Sequence, residues 1–223
     1  MLNFTRKPRY DYNDLLEIVR LLRSTEGCPW DRVQTHQSIR RGLLEEAYEA
    51  AEAIDTEDTA LLREELGDVL MQVVFHADIE RQRGRFTMED VVDGEVRKLL
   101  FRHPHVFGSA APEKDAESVL VSWDAIKRRE KHQHTTAQAM DSVARSLPAL
   151  WRAEKLQKKA EKAHVGAASA APAVCAAEAM AALSQSSDPE QAVGELLFAA
   201  VNAARQYGVD PETALHRRCE TFI

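Results

Sequence analysis

A chain of 223 residues, 44% hydrophobic and 29% charged, has room for one large folded domain or two small ones, with a conventional apolar core. Its formal charge of −7 argues against stable nucleic-acid binding, and no apolar run reaches the roughly 18 residues needed to cross a bilayer. The three cysteines, Cys28, Cys175 and Cys219, are odd in number and show no C-x-x-C spacing, which argues against a disulfide framework or a zinc knuckle and for a reducing compartment, the cytoplasm.

The periodicity is helical almost throughout. The basic N-terminal stretch with Arg6, Lys7 and Arg9 has no apolar run behind it and does not read as a signal peptide. Asp14–Arg23 carries Leu15, Ile18, Val19 and Leu22 on one stripe, and a breaker segment with Gly27 and Pro29 follows. Ser38–Ile54 reads as a second helix with Ser38 as its N-cap, and Thr59–Arg83 as a long third helix closed by Gly84. Met88–Arg102 must stop at His103–Pro104, and Ala116–Lys131 is the next helical stretch. His132–Asp141 is polar and reads as a linker. Beyond it come a basic amphipathic helix over Leu147–Ala163, an alanine-rich segment, a helix from Asp188 to about Tyr207, and a last one over Pro211–Phe222. The basic runs Lys127–Lys131 and Lys155–Lys162 read as two solvated helix faces. No period-two strand stands out, so the expected fold class is an all-α helical bundle. The expected organisation is a first domain over 1–131, a linker over 132–145 and a second helical region over 146–223.

A repeat is legible. Glu65-Leu-Gly-Asp68-Val-Leu aligns with Ala192-Val-Gly-Glu195-Leu-Leu, and each helix is followed by a glycine (Gly84, Gly208) and a fresh helix start. Only the first copy keeps its acids: Glu65 is replaced by Ala192. The helix before the second copy holds one acid, Glu178, where its counterpart holds four.

Those acids carry the chemistry. Residues three, four and seven apart share a helix face, so Glu45, Glu49 and Glu52, with Glu46 at the edge, form an acidic stripe. Glu65 and Asp68 share a face of the next helix, and the short connection Asp55–Thr59 makes the two helices antiparallel neighbours. A stripe of this kind on one helix is commonly just a solvated face. Two facing stripes interleaved with alanine, leucine and valine repel and lose hydration unless a cation joins them, and an oxygen-only donor set suits Mg²⁺. A di-iron bundle would want Glu-x-x-His on facing helices, and that spacing occurs only at Glu161–His164, away from the acids.

The linked segments Gly27-Cys-Pro-Trp30-Asp31, Gln34-Thr-His36, Leu44-Glu-Glu-Ala-Tyr-Glu49, Glu64-Glu-Leu-Gly-Asp68, Gly84-Arg-Phe86, Arg102-His-Pro-His-Val-Phe107 and Trp123-Asp-Ala-Ile-Lys127 closely resemble the MazG family of nucleoside triphosphate pyrophosphohydrolases. The resemblance extends over most of the chain. It implies Mg²⁺-dependent cleavage of NTPs and dNTPs to nucleoside monophosphate and pyrophosphate, a nucleotide-pool house-cleaning activity. Carried over residue by residue, it implies Glu46, Glu49, Glu65 and Asp68 as metal ligands and Glu45 as the group that orients or deprotonates water. It also implies Lys98, Arg102, Trp123 and Lys127 as nucleotide contacts. Trp30, after Cys-Pro in a turn, reads either as a stacking surface for a base or as the anchor of its loop; His36, His103 and His105 are read as structural. It implies a homodimer as well. The second copy departs from the family pattern: its paired glutamates are missing and the sequence ends at Ile223, before a basic-and-Trp segment is reached. That departure implies a second half that packs or dimerises instead of reacting. The alternative reading is a catalytically weak nucleotide-binding or regulatory module; Mg²⁺-dependent turnover distinguishes the two.

Overall fold

The computed structural model describes residues 2–108, 123, 126–163 and 172–223, with side chains from 175 onward in the last stretch. All regular structure among the described residues is helical, as the periodicity predicts. The chain divides into two compact units, Met1–Ala111 and Pro112–Ile223.

In the first unit the four long helices each begin where a short polar side chain takes up orphan backbone N–H groups. Helix α1 (Tyr12–Leu22) starts at Asp11, whose carboxylate accepts from the N–H of Asn13 at 2.8 Å while Asp14 accepts from the N–H of Asp11 at 2.8 Å. A single turn, α2 (Pro29–Arg32), follows the glycine-proline segment. Helix α3 (His36–Asp55) begins earlier than the sequence suggests. Its N-cap is Thr35, and Ser38 is the third residue of a reciprocal box in which Ser38 Oγ accepts from the Thr35 N–H at 2.9 Å. Helix α4 (Thr59–Gln82) is capped by Asp58, and α5 (Met88–Arg102) by Thr87. Between α4 and α5 the chain turns at Gly84, whose φ of +67° is open to a residue without a Cβ. Pro104 ends α5, and one further turn, α6 (Pro104–Phe107), follows.

Helix α4 is the axis of this unit: α1, α3 and α5 all pack on it. Leu16 and Val19 of α1, Ile39 of α3, Val74, Phe75, Ala77 and Ile79 of α4, and Met88 of α5 form the core. A buried ion pair locks the arrangement. Arg23, at the end of α1, donates from Nε to Asp78 Oδ2 at 2.9 Å, with side-chain exposures of 2% and 4%. Its Nη1 donates to the Asp31 carbonyl at 2.6 Å, and its guanidinium lies 4.7 Å from the Phe75 ring centre. One guanidinium thus joins α1, the breaker loop and α4.

In the second unit, residues 126–130 are helical, while most of the stretch 116–125, which the sequence assigns to the start of that helix, lies outside the described residues. The polar segment expected to be a linker contains a helix, α7 (Thr136–Asp141), because Thr135 and Gln138 form a capping box. Then come α8 (Ala149–Lys162), α9 (Pro172–Leu183), α10 (Pro189–Gln206) and α11 (Pro211–Glu220). Helices α9 and α10 form an antiparallel-sequence hairpin like α3 and α4, and α8 packs on α7, α10 and α11. Among the described residues of this unit, Ala139, Val143, Ala192 and Val201 are buried apolar side chains. Gly208 turns the chain after α10 with a φ of +68°, matching Gly84 in the first unit.

Candidate active site

The helical spacing of α3 and the short turn into α4 bring three carboxylates together. One oxygen from each of Glu46, Glu49 and Glu65 lies within 4.8 Å of the others. Glu65 is buried, Glu46 half-buried and Glu49 exposed, so the cluster opens from the helix–helix seam toward solvent. Burial pushes the Glu46 carboxyl above the usual carboxylate range, and the charges of Asp68 and Glu49 push it further; a hydrogen bond with Gln72 works the other way. Burial likewise raises Glu65, followed by the charges of Glu49, Asp68 and Glu46. Asp68, outside the tight trio, is therefore near enough to act on both. No other group of this kind occurs among the described residues.

Convergence of like charges costs free energy unless something cationic sits between them. The donor atoms are all carboxylate oxygens, which suits a hard divalent ion such as Mg²⁺ and gives no reason for zinc or copper. Glu46, Glu49, Glu65 and Asp68 are the residues that could hold it.

Below the trio, the seam stays polar in a way the sequence reading missed. Gln72, one turn past Asp68, is buried at 8% exposure. It fits because its neighbour on α3 is Gly42: a Cβ there would stand 2.8 Å from Gln72 Nε2. A turn further, His36 Nδ1 and His76 Nδ1 are 2.7 Å apart, and His36 Nε2 lies 2.6 Å from Glu80 Oε1. The hydrogen bond to His36, then those from Arg83 and Arg85 and the charge of Arg85, holds Glu80 at about 2. Glu80 is then ionised, His36 Nε2 carries a proton, and only one of the two facing Nδ1 atoms can carry another. His36 is accordingly a packing and hydrogen-bonding residue. The signal for this ladder was present in the sequence as Glu65, Asp68, Gln72, His76 and Glu80, spaced by three or four through an otherwise apolar helix.

The remaining sequence-assigned residues fall elsewhere. Glu45 is exposed and accepts from Arg41 Nε at 2.6 Å, outside the converging trio. Lys98 is ion-paired with Glu95 of its own helix, and Arg102 is the last residue of α5, half-buried. Trp30, in the α2 turn, is 64% exposed, with its carbonyl accepting from Gln34 Nε2. Trp123 and Lys127 belong to the second unit, where Lys127 Nζ lies 5.9 Å from the Trp123 ring centre. In α10 the counterpart of Glu65 is the buried Ala192, and Glu195 is exposed.

With this geometry in view, comparison with known proteins is decisive. Residues 34–107, which hold both acidic helices, match the model of the MazG nucleotide pyrophosphohydrolase domain. A protein of Thermotoga maritima named nucleoside triphosphate pyrophosphohydrolase/pyrophosphatase MazG is 40% identical over 95% of this chain and 82% of its own length. The chain belongs to the MazG family. The nucleoside triphosphate pyrophosphohydrolase of Escherichia coli is 41% identical over 93% of this chain and 82% of its own length. A Bacillus subtilis protein, YabN, is 45% identical over 96% of this chain and 45% of its own length. As a MazG-family chain, this one carries its single described acidic cluster inside the matched segment.

Proposed function

We propose that this chain hydrolyses nucleoside triphosphates, ribo and deoxy, to nucleoside monophosphate and pyrophosphate, with Mg²⁺ at the acidic seam of the first unit. The observation that carries this reading is the convergence of Glu46, Glu49 and Glu65 within 4.8 Å, inside the family-matched segment. When bound, Mg²⁺ neutralises phosphate charge and lowers the pKa of a coordinated water.

The chain's own residues do the rest. Glu46, Glu49, Glu65 and Asp68 provide the oxygen cage, and Gln72 steadies Glu46 from the buried side. Glu45, on the solvent-facing part of α3 and steered by Arg41, accepts a hydrogen bond from the attacking water. The water oxygen bonds to phosphorus as the α–β bridging P–O bond breaks; the leaving phosphate takes that electron pair and Glu45 takes the water's proton, giving nucleoside monophosphate and pyrophosphate. Lys98 exchanges Glu95 for phosphate, and Arg102 stands one turn beyond it on the same helix, so both offset charge on the leaving group. The exposed ring of Trp30 offers a stacking surface to the base.

The working form is a homodimer. Leu44 and Tyr48 of α3, Leu66 and Leu70 of α4, and Leu99 and Phe101 of α5 are exposed apolar side chains on the very helices that build the site. A face of that kind marks an interaction surface, and a second copy would complete the bundle. The test is product analysis with each NTP and dNTP, with and without Mg²⁺. NMP and pyrophosphate in the Mg²⁺ samples alone is the expected result. A folded protein that binds nucleotide and yields no product sinks the reading.

A further inference from the structure

The two basic runs of the sequence meet in the second unit. Lys127, Arg128 and Lys131 approach from the 126–131 segment, and Lys155, Lys158, Lys159 and Lys162 from α8; together they line one cavity of about 390 Å³. Residues 126–163 contain ten Lys and Arg against four Asp and Glu, in a chain whose total charge is −7. Part of this charge is matched: Glu154 holds the lining Lys158 at 2.5 Å, and Lys159 and Lys162 have partners as well, whereas Glu161 is turned to Arg205, which is not part of the lining. Among the described residues that line the cavity there is no carboxylate and no aromatic ring. Ser142 and Gln133 add neutral hydrogen-bonding groups, and Val143 and Leu147 give it an apolar side.

Converging cations in a partly apolar recess raise the local potential and repel one another, so the recess favours a compact anion of high charge. Its volume falls in the small-ligand range of roughly 300–1,000 Å³. A single-stranded nucleic acid would want aromatic platforms for its bases, and none stands among the described residues of this lining. We propose that this cavity binds a short phosphate chain, of the pyrophosphate or tripolyphosphate type, directly through lysine and arginine and without a divalent cation. The chain is recognised by its phosphates alone, so it can be free inorganic polyphosphate or the triphosphate tail of a nucleotide. Lys127, which the family resemblance assigns to the nucleotide, also lines this cavity; the inference rests on Arg128, Lys131 and Lys155. It is independent of the hydrolytic reading of the acidic seam.

The test is calorimetric titration of the full chain in EDTA with orthophosphate, pyrophosphate, tripolyphosphate and ATP, at two salt concentrations, beside the variant Lys131→Gln/Lys155→Gln. The expected result is saturable binding of tripolyphosphate near one per chain, weaker orthophosphate, and at least a tenfold loss with a shallower salt dependence in the variant. ATP binding as tightly as tripolyphosphate identifies a nucleotide tail as the source; ATP binding far more weakly identifies the free chain. Without any anion the variant melts at a higher temperature, because repulsion is relieved, and it loses most of the stabilisation that tripolyphosphate gives the parent. The variant Glu49→Gln binds tripolyphosphate unchanged in EDTA, which separates this cavity from the acidic seam. Absence of saturable binding, equal affinity in the double variant, or an oligonucleotide that binds tightly and is not displaced by tripolyphosphate would each overturn the proposal.

Discussion

The hairpins α3–α4 and α9–α10 pose one backbone problem and solve it with different side chains. Each long second helix is capped by an aspartate, Asp58 or Asp188, and followed by a glycine with φ near +67° or +68°. Each is tied to another helix by an ion pair of opposite polarity: Asp78 of α4 takes Arg23, whereas Arg205 of α10 takes Glu161. The seams differ at two of the three points compared. Helix α4 brings Glu65, Asp68 and Gln72 to α3, while α10 presents Ala192, Glu195 and Ala199 at the matching points. A helical hairpin therefore stands with alanine in place of Glu65 and Gln72, and alanine is the better residue there for packing and helix propensity. The acids of the first unit stand against that preference, which supports the chemistry proposed for them.

The comparison is broken most forcefully at the proposed metal ligands. Glu49→Gln and Asp68→Asn should each lower turnover by about a thousandfold or more, equivalent to roughly 4 kcal/mol in the barrier, with unchanged helical circular dichroism. Full activity in either would remove the site assignment. Next in size is the lock of the first unit: Asp78→Ala leaves Arg23 buried without its partner and should cost about 3–5 kcal/mol in chemical denaturation. A cost below about 1 kcal/mol would show that water enters the pocket.

Gln72→Leu tests the buried support of Glu46. A lost outer partner typically weakens metal binding by about 10–100-fold, so the Mg²⁺ concentration needed for half-maximal rate should rise at least tenfold while the fold is kept. An unchanged Mg²⁺ requirement would make Gln72 a packing residue only.

The pH dependence follows from the raised carboxyls. Glu46 and Glu65 hold protons in the folded protein at pH values where the unfolded chain has released them. Their contribution to stability without metal is therefore present below the ordinary carboxylate range and is lost as pH rises through their raised values. Mg²⁺ must displace those protons, so its stabilising effect in thermal melting should be large at pH 8 and small at pH 5. Glu80 works oppositely: its value of about 2 gives stability that is lost as pH falls from about 4.5 toward 2. The smallest effect belongs to the second hairpin. Glu195→Ala should change turnover less than twofold, and a larger loss would show that α10 takes part in the reaction.

The sequence by itself determined the helices, their caps and the acidic spacing, because these depend on residues within a turn or two of one another. Even there the local reading slipped by three residues at Thr35, since a capping box uses both Thr35 and Ser38 and either alone fits the pattern. It also passed over α7, whose box lies inside a polar stretch without an apolar stripe. Family motifs then supplied the roles of Glu46, Glu49, Glu65 and Asp68. What only the tertiary structure decided are the meetings across sequence distance. Arg23 reaches Asp78, Gly42 clears a place for Gln72, and His36 bridges His76 and Glu80. Two basic runs that look like ordinary solvated faces converge on one cavity. Helical periodicity tells which residues share a face, but the facing partner is chosen by packing, and charge acquires its meaning only from what stands opposite it.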